Sequence, residues 1–335
     1  VSLSRILERL VQLPVVLLGV SLVVFLMITL TPGDPVEIML ADQRASEEQA
    51  AVLRRDLGLD RPIAERFLLF LGNALTGNFG VSFFHRRPVF DVIAERLPAT
   101  IELTLFALLV AVLVAVPLGV AAAVKRDSWL DRALSAISLF GVSLPGFWFG
   151  ILLILLFAVQ LGWFPAGGRI PFGAEVARVT GFLLLDTIIA GRPDAFLRAL
   201  SHLALPAITL GLPTAALLAR VIRTAMAEVL AADYVLFAEA KGLSRRRILF
   251  LHALKNALIP AVTVLAIETG SLLGGNMIVE TVFGWPGLGR LVVESIFARN
   301  YPLVQAAVLL YAVTYVLLNF AADLLYAALN PKVRL

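Results

Sequence analysis

The chain has 335 residues, 60% of them hydrophobic and 16% charged, with a mean hydropathy of +0.92 and a net charge of +4. An apolar share this far above that of soluble domains marks an integral membrane protein, in which one bilayer-embedded bundle can use most of the chain. Cysteine is absent, which excludes a disulfide framework, an iron–sulfur cluster and a thiol nucleophile, and the three histidines, His85, His202 and His252, lie too far apart in sequence to give a local metal-ligand pattern.

Six segments approach the roughly 20 apolar residues that cross a bilayer: 11–31, 99–124, 133–160, 203–222, 260–280 and 302–329. The first follows Arg5 and Arg9 but precedes "TPGDPVE" with no small-x-small cleavage pattern, so it is read as an uncleaved helix. In the segment 32–97 that comes next, Ser46 and Gln49 form a capping box ahead of "AAVLRRDLG", with Gly58 as its stop. Pro62 then opens "IAERFLLFLGNAL", where Ile63, Phe67, Phe70 and Leu71 recur at helical spacing; both stretches are predicted interfacial helices. Segment 161–202 is rich in Gly and Pro and carries "TGFLLLDTIIAG", too short to span and expected as a short re-entrant or surface element.

Lys and Arg in the short connections set the orientation. With the N-terminus inside, fourteen fall on the inner side and six on the outer, so both termini are expected in the cytoplasm and segments 32–97 and 161–202 outside. The positive charge thus follows the membrane rather than forming a nucleic-acid surface. The expected organisation is an N-terminal span with its outer segment (1–97), a membrane domain (98–330) and a cytoplasmic tail (331–335).

No phosphate loop, dinucleotide fingerprint, nucleophile elbow or H-E-x-x-H motif occurs, so no bond chemistry is expected. Ser201 and His202 are neighbours, but adjacent helical residues diverge by about 100° and do not readily share a proton. Glu268 and Asp323 are ionisable groups at membrane depth, which are costly there and face protein or a water-filled cavity. Gly270, Gly274 and Gly275 near Glu268 allow close approach of a helix or a solute. Glu268, Ser271 and Asn276 are candidate lining residues of a polar path. A proton-coupled secondary transporter using Glu268 and Asp323 is the alternative these residues leave open.

The most unusual stretch is "DYVLFAEAKGLSRRRILFLHALKNALIP" (233–260), a polar, Arg-rich island between apolar runs. Asp233 is a natural N-cap, "YVLFAEAK" about two helical turns, and Gly242 the residue that takes positive φ and stops them. Ser244 is placed to cap a second helix, with Ile248, Leu251, Leu254 and Leu258 as its apolar stripe up to Pro260. Three arginines, Arg245 to Arg247, in its first turn oppose the helix dipole and call for compensation by lipid head groups or a protein partner.

"AEAKGLSRRRILFLHALKNALIP" resembles the EAA loop of ABC importer permeases: Ala238, Glu239, Ala240 and Gly242 match its core, and His252, Asn256 and Pro260 its tail. "GVSFFHRRPVFDVIAERLPATIELT", "SLPGFWFGILLILLFA", "HLALPAITLGL", "ETVFGWPGLGRL" and "DLLYAALNPKVR" extend the resemblance over essentially the whole chain, to the dipeptide/oligopeptide/nickel permease family. The resemblance implies an all-α integral membrane protein with six transmembrane helices in the type I ABC importer fold. Its cytoplasmic coupling helix would lie in a loop spanning 223–259, with Asp233, Tyr234, Ala238, Glu239, Ala240, Lys241, Gly242, Leu243, Ser244, Arg245, His252 and Asn256 as ATPase-coupling residues. It further implies a heterodimer with a second permease, two ATPase subunits that hold ATP and Mg, an extracytoplasmic solute-binding protein, and a bacterial or archaeal cytoplasmic membrane. The chain itself would bind no cofactor and catalyse nothing. Peptides are the implied cargo, with glutathione, a nickel chelate or an oligosaccharide as alternatives; no histidine lies in the core of a predicted span to hold bare nickel. The loop reads Ala-Glu-Ala where the motif has Glu-Ala-Ala, so no ion pair is carried over for Glu239. The small face of Ala238 and Gly242 is expected to admit a partner closely.

Overall fold

The computed structural model describes residues 3–30, 36, 47–56, 58–171, 173–174 and 176–329. Ser46 of the predicted capping box and the tail 331–335 lie outside them. The described residues form helices joined by turns, with one isolated antiparallel bridge between Val81 and Pro88.

Helix α1 (Leu3–Leu30) leads into segment 32–97, where α2 (Glu47–Asp56) ends at Gly58 with φ +66° and α3 (Ile63–Leu75) starts after Pro62, both as the sequence predicts. Phe67 and Phe70 of α3 meet the ring of Phe25 on α1 at 5.4 and 5.9 Å between centroids. Helix α4 (Val89–Val124) follows, then α5 (Trp129–Ser143) and α6 (Gly146–Gln160), the latter relaxing into a π-helical turn from Ile154. A short α7 (Leu183–Ile189) lies in segment 161–202 ahead of α8 (Pro193–Leu230). Beyond it come α9 (Asp233–Ala240) and α10, which runs from Arg245 through a π-helical turn at Ile248–Ala253 into Leu254–Gly275. The last three are α11 (Met277–Val282), α12 (Leu288–Phe297) and α13 (Tyr301–Leu329).

Among the described residues, α4, α8, α10 and α13 are long and apolar enough to cross a membrane, while the apolar stretches Leu13–Met27 of α1 and Gly146–Gln160 are shorter. The predicted span 133–160 is therefore not one helix. Leu144 is extended (φ −83°, ψ 129°) because the following Pro145 disfavours helical geometry, so the chain bends between α5 and α6. Pro260 has the opposite outcome: it lies inside α10, and the expected separate helix after Ser244 is continuous with the fifth predicted span.

Helices α4 and α8 form the centre. Between lipid-embedded helices no hydrophobic force favours association, so packing decides it and small residues bring backbones close. Ala107, Ala111, Ala115, Gly119 and Ala122 recur near every fourth position of α4 and are all buried. They face Gly211, Ala215 and Ala219 of α8. A Cβ at Gly119 would lie 2.8 Å from the Ala219 carbonyl oxygen, and one at Gly211 2.5 Å from that of Ala107, so the two helices run parallel with no room for another methyl. Against this pair pack α10, through Ala257 and Ala261, and α13, through Ala306 and Ala307.

Candidate functional site

Two constructions flank the bundle, one at each end. At the end where α8 stops, Ala232 rather than Asp233 is the N-cap of α9, and no side chain caps it; Asp233 stands in the first turn, where its charge still favours the helix dipole. The helix ends as predicted: Gly242 takes φ +75°, its N–H bonds to Glu239 O, and the Leu243 N–H bonds to Ala238 O, the paired hydrogen bonds of a Schellman stop. Ser244 begins α10 without a side-chain cap.

Ala238 does not offer the expected outward face. It is buried with Val235 and Ile248, packed on by Val229, Leu230 and Leu243, because the 100° advance per residue in an eight-residue helix puts Val235 and Ala238 on one side. Gly242 is exposed, and a Cβ there would meet nothing within 4 Å. What α9 turns outward is larger: Leu236 and Phe237 are 54% and 62% exposed, with Tyr234, Glu239, Ala240 and Lys241 around them. The Lys241 ammonium stands 4.5 Å from the Phe237 ring centre, a cation–π contact. Asn256 on α10 donates from Nδ2 to the Tyr234 hydroxyl at 2.9 Å and to the His252 carbonyl at 3.2 Å, tying α9 to the helix that carries it. Arg245, Arg246 and Arg247 are exposed, with no carboxylate paired to them among the described residues. Close by, Arg223 of α8 grips Asp131 of α5 through Nε (2.9 Å) and Nη2 (2.7 Å); these bonds, aided by the Asp127 N–H, hold the Asp131 carboxyl below its ordinary range.

The three path candidates do not converge. Glu268 is half-buried and Ser271, three residues on and so on a shared face of α10, is exposed. Asn276 lies past the end of that helix, buried, with Nδ2 lacking a hydrogen-bond partner among the described residues. Gly270 serves a helix contact: a Cβ there would stand 3.2 Å from the Tyr315 ring of α13. Ser201 and His202 are not bonded to each other, since the hydroxyl donates to Arg198 O and the imidazole Nδ1 donates to Gly167 O.

At the opposite end is a polar hub that the sequence reading missed. Glu280, with no exposure, accepts from the Thr100 hydroxyl (2.7 Å) and the Arg290 N–H (3.0 Å), while Thr100 Oγ1 accepts from the Leu288 N–H (2.8 Å). A side chain at Gly287 would fall on the Glu280 carboxylate, so any other residue here would displace that carboxylate from its hydrogen bonds. Trp285 donates from Nε1 to Ala99 O at 2.9 Å, and the Gly168 N–H to Phe283 O at 2.8 Å. Next to Trp285, the Arg169 guanidinium bonds Glu102 through Nη2 (2.6 Å) and Nε (3.2 Å) and also reaches Gly181 O, and Glu102 accepts from the Leu184 N–H. Together these bonds pin the loop 161–182 and the turn 283–290 onto α4. Glu102, in "TIELTL", carried the same signal as Glu268: a carboxylate in an apolar run.

Asp186 organises the loop ahead of α7. Burial pushes its carboxyl up, but bonds from the Thr180 N–H and hydroxyl (2.7 Å each) and the Gly181 N–H (3.0 Å) outweigh it and hold the group below its ordinary 3.8. A depressed native value means that the stabilisation is complete above about pH 3.8 and fades as pH falls through the native value. Amide protection in residues 178–190, the exchange rate taken relative to its intrinsic value at each pH, should therefore fall on acidification below that point, and Asp186→Asn should remove most of that fall; the same fall in the variant would show that Asp186 is not its source.

The described residues thus form a helical membrane bundle with a pinned loop at one end and an exposed turn at the other, and among them no three His, Asp or Glu side chains cluster to hold a metal. Residues 115–335 match the family model described as binding-protein-dependent transport system inner membrane component, and residues 2–104 match that family's N-terminal model. The di/tripeptide transport system permease protein DppB of Pseudomonas aeruginosa is 44% identical over 332 residues, covering 99% of both chains. The dipeptide permease DppB of Escherichia coli K12 is 41% identical over 335 residues, and the glutathione permease GsiC of the same strain 39% over 332, each again with 99% of both chains covered. The chain belongs to this family of ABC importer permeases. That membership sets aside the proton-coupled reading of Glu268 and Asp323.

Proposed function

We propose that the chain is one half of a permease heterodimer that passes di- and oligopeptides, delivered by a solute-binding protein and driven by two ATPase subunits, into the cytoplasm. The observation that carries the coupling part is the outward face of α9. Leu236 and Phe237 stand exposed on a loop rich in Lys and Arg, held from beneath by the Val235–Ala238–Ile248 cluster, which is how a short helix is stiffened to transmit a push. In this reading α9 is the coupling helix, and Asp233, Tyr234, Glu239, Ala240, Lys241 and Arg245 meet the ATPase cleft. Ala238, Leu243 and Ser244 shape the turn, and His252 and Asn256 relay its displacement into α10. ATP and Mg belong to the partner subunits.

Six crossings are proposed: α1, α4, the bent pair α5–α6, α8, α10 and α13, with both termini cytoplasmic, segments 32–97 and 161–202 outside, and the chain dividing near residue 98. The parallel course of α4 and α8 supports the alternation. Ala50→Cys is expected to react with an impermeant maleimide from outside and Arg245→Cys only from inside, a clean test in a chain without native cysteine. The reverse pattern would overturn the orientation.

Peptide cargo follows from the names of the DppB relatives, and glutathione, itself a tripeptide, is the nearest alternative through GsiC. ATPase stimulation of the reconstituted complex by its binding protein, loaded in turn with dipeptide, glutathione, a sugar and a nickel chelate, decides between them; silence with both peptides would overturn the cargo while leaving the permease. Glu268 and Ser271 are proposed to face the path, and Glu268→Gln should slow peptide uptake without changing the affinity of the binding protein. An unchanged rate would remove Glu268 from the path.

A further inference from the structure

Beside the far end of α1 lies a cleft of about 600 Å3 that belongs neither to the loop around α9 nor to the Glu280 hub. Phe25 of α1 and Tyr301 and Gln305 of α13 line one side, Arg66 and Asn73 of α3 the other, with Arg61 joining the lining from the turn before α3. Three separate observations make it a site. Neither guanidinium has a carboxylate partner among the described residues, and that of Arg66 lies instead over the Phe25 ring, 5.9 Å from its centre. Tyr301 lines the cleft, and its hydroxyl is buried with no hydrogen-bond partner among the described residues, a cost that turning the ring toward a bound acceptor would relieve. Helix α3 is amphipathic yet buries none of its residues in this chain, leaving Ile63, Leu68 and Leu75 exposed.

Helices of this kind lie in the plane of a membrane surface, apolar face in the acyl boundary and cations at head-group level. Guanidinium forks match phosphate oxygens in pairs, and Tyr at the end of a span sits at the same level. We infer that the cleft binds one anionic glycerophospholipid: Arg61 and Arg66 hold its phosphate, the Tyr301 hydroxyl, once turned toward the cleft, donates to a phosphate or ester oxygen, and the acyl chains lie along the apolar lining at Phe25 and Leu69. Lipid is favoured over a soluble anion because, apart from the two guanidiniums, much of the lining is apolar: Phe25, Leu59, Leu69, Phe70, Phe79 and Phe83. The bound lipid would clamp α3 to α1 and α13. The inference rests on the proposed orientation only for the leaflet concerned.

The test is native mass spectrometry of the full chain, purified with its partner subunits and stripped of lipid, titrated with phosphatidylglycerol and with phosphatidylcholine of the same acyl chains. Phosphatidylglycerol should be retained preferentially. Arg61→Gln and Arg66→Gln should each weaken its binding about fivefold, the equivalent of one basic residue near a membrane surface. The lysine replacements should retain more binding than the glutamines, and Arg178→Gln, an outer arginine paired with Glu95, should have no effect. Equal retention of the two lipids by the wild type would overturn the proposal without needing any variant to fold, as would unchanged phosphatidylglycerol binding in the Arg61→Gln/Arg66→Gln pair. Displacement of the lipid by an equal concentration of inorganic phosphate would overturn the lipid as the source of the anion. None of these outcomes depends on peptide transport, whose own test is the ATPase assay.

Discussion

Arg169→Leu should strip most of the protein's thermal stability in detergent, because it leaves Glu102 buried without its cation. The two side chains are 17% and 5% exposed and meet at 2.6 Å, and removing one partner of such a pair costs about 3–5 kcal/mol, whereas removing both is often nearly neutral. The double variant Glu102→Gln/Arg169→Leu should therefore be more stable than Arg169→Leu alone. It should not reach wild type, because Arg169 also bonds Gly181 O and Glu102 accepts from the Leu184 N–H. Fluorescence-detected size-exclusion melting of the three proteins checks the order. A double variant no better than the single would mean that the loop 161–182 is held by Trp285 and the Phe283–Gly168 bond rather than by the ion pair.

The second large effect is expected in transport rather than in folding. Gly242→Val places a β-branched side chain at φ +75°, a conformation costing such residues about 1–3 kcal/mol, although the site itself has open space. The turn should reopen and α9 should swing off the Val235–Ala238–Ile248 cluster, lowering coupled uptake at least about tenfold at unchanged membrane insertion. Gly242→Asn separates two causes, since asparagine tolerates positive φ. Activity retained by Asn but lost with Val assigns the glycine to backbone geometry; loss with both assigns it to the close approach of a partner. Wild-type uptake with Val would refute the part given to the turn.

These two sites also mark the limits of what the sequence discloses. Gly242 was legible because a left-handed stop between two amphipathic stretches demands a residue without Cβ, and the hydrogen bonds that it expects are present. Ala238 was misread because a small residue fits either face of a short helix, and only the third dimension decides which. Four of the six predicted spans were legible from hydropathy as helices of crossing length, while the breaks were not: Pro145 bends the chain and Pro260 does not, although each follows an apolar residue. The polar hub stayed hidden because its members are distant in sequence, with Glu102 and Arg169 separated by 67 positions and Thr100 and Glu280 by 180. Hydropathy counts a carboxylate as a local defect and has no means of finding its mate.

The parallel contact of α4 and α8 sets a schedule for synthesis. Gly119 and Ala219, which touch in the finished bundle, leave the ribosome 100 residues apart, and at about 5–20 residues per second that interval is on the order of 5–20 s. Throughout it, the alanine and glycine stripe of α4 lacks the helix it packs on, and for the first half of it Glu102 also lacks its guanidinium, Arg169, which is still to be translated. The central contact of the membrane domain thus forms only late in translation, after the polar lock of Glu102 with Arg169 has become available.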